Sequence, residues 1–158
     1  MSKIVTILLC YILYACSGCA TKSITIDKEL EEYVLKAQNA AYSIQLPETP
    51  QVSYKMVDSF TGVEGNIIGF CKIKGNVRTV YIKRSWWSLQ NELGRMSLIT
   101  HEMLHCEYNL GHTQGGLMNP TINGTIHSIY VLGLEGAISE AFEEGIHLSE
   151  DGEHNHKH

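Results

Sequence analysis

Residues 101–105 read His-Glu-Met-Leu-His, and this pentad narrows what the chain can fold into more than any other stretch. It sits inside residues 90–109, where Leu93, Met96, Ile99, Met103 and Leu104 recur at helical spacing. Four residues along a helix turn the chain by about 400°, so His101 and His105 lie one turn apart on one face. Two neutral imidazoles placed in this way point at a common ion about 2.0–2.1 Å from each. Glu102 lies beside them and aims elsewhere, which leaves it free to act as a base toward a coordinated water. The combination of paired imidazoles, an open coordination position and an adjacent carboxylate is what a zinc hydrolase needs.

Zinc calls for a third protein ligand. Asn109 and Gly111 are residue types that accept the left-handed conformation ending a helix. His112 follows that turn and is the preferred third ligand, because a loop histidine placed there reaches the ion cheaply. Gly116-Leu117-Met118-Asn119-Pro120 then reads as a tight turn with a methionine at its centre. The competing ligands are carboxylates on the last helix, Glu135, Glu140, Glu143 and Glu144, which otherwise form a solvated acidic face. His127 and His147 are candidates for outer or transition-state groups and Tyr130 for an oxyanion donor, although such isolated residues more often do ordinary packing.

The remaining elements follow from periodicity. Ile26, Leu30, Tyr33, Val34, Ala37, Ala41 and Ile44 predict an amphipathic helix over 27–45, with Asp27 as N-cap and Pro47 and Pro50 beyond its end. Residues 51–57, 67–74 and 77–83 read as strands, the last two joined at Gly75-Asn76 as a hairpin. Ser85 to Ser88 form a bulky connection, residues 110–128 a loop, and 130–144 a last helix. Residues 149–158, with His154, His156 and His158, read as a disordered polar tail able to hold metal only weakly. A chain of 158 residues, 44% of them apolar, suits one domain with a packed core. Its formal charge of −5 gives nucleic acid no basis for binding.

Met1-Ser2-Lys3 is followed by Ile4 to Ala15, apolar except for Thr6 and too short to span a bilayer. The stretch Leu13-Tyr14-Ala15-Cys16-Ser17-Gly18-Cys19 resembles a bacterial lipobox. That resemblance implies a signal peptide over 1–15, acylation of Cys16 (or Cys19 in the alternative frame), a tether over 16–26 and a domain over 27–148. It also implies export, with a lipid anchor in the bacterial cell envelope at the outer membrane or cell surface. In that oxidising compartment Cys71 and Cys106 either pair or persist as two buried thiols.

His101, Glu102, His105, His112 and Met118 together resemble the signature of the metzincin metallopeptidases, HExxHxxGxxH followed by a methionine turn. The third histidine here comes seven residues after His105, where the usual spacing is six. His105-Cys106, Asn109, His112 and Met118-Asn119-Pro120 are similar to a set of bacterial and phage lipoproteins with an HELGHC…N..H…IMNP pattern. Tyr81-Ile82-Lys83 and Trp86-Trp87 resemble their strand-then-Trp lead, so the likeness covers about residues 66–121. It implies an α+β fold: a small twisted sheet, a long N-terminal helix, the HExxH helix, a Met-turn and a C-terminal helix. It also implies Zn2+ on His101, His105 and His112, Glu102 as general base toward the zinc-bound water, and Met118 as a structural floor. The expected protein is a monomeric zinc endopeptidase acting on a peptide or protein substrate. The alternatives are a non-enzymatic zinc-binding surface lipoprotein and a zinc hydrolase of cell-wall peptide crosslinks.

Overall fold

The computed structural model describes residues 23–60 and 67–150, with side chains through 145. Alternation sets the sheet. In β1 (Val52–Val57), Val52, Tyr54 and Met56 are buried and the residues between them half-buried. β2 (Gly69–Lys74) and β3 (Val77–Lys83) form an antiparallel hairpin through Gly75-Asn76. Only Gly75 of that pair has positive φ, the pattern of a type II′ turn. β1 pairs with β3 in parallel, giving the order β1-β3-β2 with β2 at an edge. Ile26 adds one bridge to Tyr54 beyond β1, so the end of the expected tether belongs to the fold.

Helices cover one face of this sheet. α1 (Lys28–Ser43) buries Leu30, Val34, Ala37, Ala40 and Ala41, a mostly small stripe that lets neighbouring helices approach. Asp27 precedes it with extended backbone, but its side chain caps nothing; Oδ2 accepts the Met56 N–H at 2.7 Å instead. The connection after β3 is a one-turn helix, α2 (Arg84–Trp87), whose Trp87 is buried and meets Tyr33 edge-on at 5.0 Å. α3 (Glu92–Tyr108) follows, its N-terminus capped by Asn91 Oδ1, which accepts the Gly94 N–H. α4 (Ile122–Glu150) closes the layer and breaks at Gly133, where φ is 73° and ψ 174°.

The result is a mixed α+β fold with a three-stranded sheet and four helices. The boundaries of α1, α3, β1 and β2 differ from the sequence expectation by one or two residues, and those of β3 match it. α4 differs more. It begins at Ile122 inside the expected loop, and its backbone runs to Glu150, past the expected start of the tail. Asn119 explains the early start: its Oδ1 accepts the Thr121 N–H and hydroxyl, and its main-chain carbonyl accepts the Thr125 hydroxyl. No helix among the described residues is long and apolar enough to cross a membrane.

Cys71 and Cys106 form a disulfide with Cα atoms 5.4 Å apart, which resolves the choice between a pair and two thiols. It ties edge strand β2 to α3. Arg78 of β3 adds a second tie by donating from Nη1 to the Cys106 carbonyl, a cation near the negative end of the helix. The bridge closes a separation of 35 residues, for which chain entropy predicts roughly 4 kcal/mol of stabilisation. Replacing both cysteines with alanine is therefore expected to lower the unfolding free energy by about 2–5 kcal/mol, read from denaturant midpoints.

Candidate metal centre

Beyond its first turn α3 is enclosed on all sides: every residue from Met96 to Glu107 is buried. Each polar group in that stretch therefore needs a partner. Ser97 and Thr100 donate back to the carbonyls of Leu93 and Met96, both at 2.8 Å. Glu107 accepts from Gln38, Thr49 and Tyr54 at 2.7–3.0 Å, so one carboxylate joins α1, the following loop and β1 to α3. Burial, then the Glu107 charge, pushes the Tyr54 hydroxyl well above its ordinary pKa, keeping it a donor.

The two histidines use main-chain acceptors. His101 Nδ1 lies 2.9 Å from the Leu117 carbonyl and His105 Nδ1 lies 2.6 Å from the Leu110 carbonyl. A carbonyl only accepts, so in both rings Nδ1 carries the proton and Nε2 presents its lone pair. The chain reaches these acceptors because α3 stops at Asn109, which takes the left-handed conformation at φ 58°. The Leu110 N–H returns to the Leu104 carbonyl, closing the helix end. The Leu110 side chain then lies against Gly145 of α4, where a β-carbon would sit 2.6 Å from Leu110 Cδ2.

His112 comes from this returning loop. The Thr113 N–H bonds to the Met118 carbonyl at 3.0 Å, pinning the loop to the turn that also supplies Leu117. The three Nε2 atoms converge at 3.0, 3.1 and 3.3 Å from one another. Nitrogens held about 2.0–2.1 Å from a tetrahedral ion are themselves about 3.3–3.4 Å apart. The triad therefore fits a metal ion on three nitrogens with one position open, and it is the group among the described residues that can hold one.

Glu102 is the exception on α3. It is buried, and its Oε2 accepts no hydrogen bond from the described residues. Burial alone pushes its pKa up to about 8, and a nearby cation would draw it back down. Its carboxylate presses on the first residue of β2: a β-carbon at Gly69 would lie 2.9 Å from Glu102 Oε1. A buried, unsatisfied carboxylate costs about 1–3 kcal/mol or more, and such a group beside a candidate metal centre is a candidate for chemistry.

Six further residues nominated from sequence sit elsewhere. Tyr130 is 78% exposed rather than packed, and His127 is exposed on α4. Glu140 lies near Gly116 and Ser128, and neither it nor Glu135, Glu143 or Glu144 joins the triad. Met118 is fully buried in the core. Cys16, Cys19, the His147 side chain and His154, His156 and His158 lie outside the described residues. Sequence reasoning missed Gly69 and the Glu107 network. A glycine opening a strand is a sign of close approach, while nothing local marked Glu107. Compared with family models, curated proteins and solved structures, the chain matches none.

Two outcomes are expected. The wild-type chain binds one divalent ion, and saturation at a hundredfold excess over the dissociation constant stabilises it by about 2.7 kcal/mol; calorimetry on His112→Ala should show affinity at least tenfold weaker. Gly69→Ala should cost about 1–3 kcal/mol by overpacking. In a double-mutant cycle with Glu102→Ala the two changes should couple by about 0.5–3 kcal/mol, and strict additivity would contradict the contact.

Proposed function

We propose that the chain is a zinc-dependent metalloendopeptidase with a metzincin-like site, exported and lipid-anchored through Cys16 or Cys19. The observation carrying this reading is the convergence of three imidazole Nε2 atoms beside the one buried carboxylate of α3 that is left unsatisfied. Three neutral nitrogens with an open fourth position suit zinc among the common divalent ions. When bound there, zinc supplies Lewis-acid chemistry, acidifying a ligated water and polarising a carbonyl.

The chain's own residues supply the rest. The Leu110 and Leu117 carbonyls fix the tautomers of His105 and His101, so both rings are already oriented as ligands. Glu102 takes the proton from the attacking water and passes it to the leaving amine. Its place against Gly69 sets this base at the start of edge strand β2. An extended peptide hydrogen-bonded along the edge of β2 that is unpaired among the described residues would run past Glu102, which favours a polypeptide substrate over a compact one. Met118, buried next to the residue whose carbonyl holds His101, serves as the floor of the site.

The test is Glu102→Gln assayed on a broad peptide library. The variant is expected to keep one zinc per chain by elemental analysis and to hydrolyse peptides at least a hundredfold more slowly. Hydrolysis at the parent rate would reject the role given to Glu102.

A further inference from the structure

The three strands carry five cationic residues and no acidic one: Lys55, Lys72, Lys74, Arg78 and Lys83. Arg78 turns inward to the Cys106 carbonyl. The four lysines project from the opposite face, since their neighbours Tyr54, Met56, Val80, Ile82, Gly69 and Cys71 are buried or bonded toward the helices. None of the four forms an ion pair among the described residues; the nearby carboxylate Asp58 is held by Arg84. Acidic residues instead crowd the helices, with Glu29, Glu31 and Glu32 on α1 and Glu135, Glu140, Glu143 and Glu144 on α4. Among the described residues, the outer face of the sheet thus carries lysines and no acidic side chain, in a chain of net charge −5.

We propose that this sheet face docks on an anionic phospholipid surface. Charge complementarity carries the argument: juxtamembrane lysines gain about 1 kcal/mol each near anionic headgroups, or roughly fivefold in affinity. The position of the chain's entry supports it. The Thr25 N–H donates to Ser53 Oγ and Ile26 bridges Tyr54, so the segment from the cysteines read as acylated joins the domain at the rim of this sheet. Cys16 and Cys19 are close enough in sequence to Ser23 that an extended tether reaches no more than about 25 Å. The aromatic residues argue against nucleic acid on the same face. Phe70 and Tyr81, paired across the strands, stack on each other at 5.1 Å, and Phe60 meets Phe70 edge-on at 5.0 Å. Each of these rings has a ring partner on the sheet and none stands as an isolated platform for a base. The inference is independent of the chemistry at the metal centre.

The experiment incorporates the full chain into phosphatidylglycerol vesicles and, separately, into phosphatidylcholine vesicles. Lysines are then labelled with a water-soluble amine reagent and quantified by mass spectrometry. Lys55, Lys72, Lys74 and Lys83 are expected to react at least fivefold more slowly on phosphatidylglycerol, with Lys28 on α1 unchanged and the difference erased at high salt. In a Lys72→Glu, Lys74→Glu variant, Lys55 and Lys83 should lose that protection while the melting temperature stays put. Equal labelling on both lipids, or protection by a single-stranded oligonucleotide in place of phosphatidylglycerol, overturns the proposal.

Discussion

A helical stretch with no solvent-facing side must find a partner for every polar group it carries, and residues 96–107 of α3 meet that demand at each position but one. Ser97 and Thr100 turn back on their own helix, Glu107 collects three donors, and the two imidazoles reach carbonyls of the chain that follows. This requirement shapes the rest of the molecule. The sheet, α1 and α4 exist around α3 as walls, and the turn at 116–119 is bent so that the Leu117 carbonyl arrives where His101 can use it. Glu102 stands out because the surrounding accounting is otherwise complete.

The enclosure is asymmetric in its bonding. Covalent and charged ties, the disulfide and the Arg78 contact, fall on the sheet side near the C-terminal half of α3. The opposite side depends on close packing and on main-chain geometry: Asn109 in the left-handed region and the loop bonded back through Thr113. Edge strand β2 is thus fixed firmly relative to the base, while the third imidazole is carried on a loop. Charge is divided in the same sense, with acids on the helical layer and lysines on the outer face of the sheet.

Much of this was legible before any coordinates. The Gly75-Asn76 turn and the alternation around it dictated the hairpin, and the pentad with Asn109 and His112 dictated the triad, because helical geometry and a left-handed stop leave the chain few ways to go. The parts that stayed hidden depend on contacts distant in sequence. Ile122, Asn123 and Gly124 look like loop by composition, and only the Asn119 and Thr121 hydrogen bonds make them a helix start. Asp27 was a natural N-cap, but β1 had a backbone N–H at Met56 that competed for it. Tyr130 looked like packing, yet it faces solvent.

The fit of Leu110 against Gly145 bears on when the site comes into being. Leu110 supplies the carbonyl that orients His105, and it stands between the last helical residue and His112. Its seat is provided by a residue close to the end of the last helix. During synthesis the pentad emerges about forty residues before that seat does, so the loop carrying His112 lacks this packing partner until the last helix has been made. The three imidazoles therefore reach the observed geometry only after the last helix has been made.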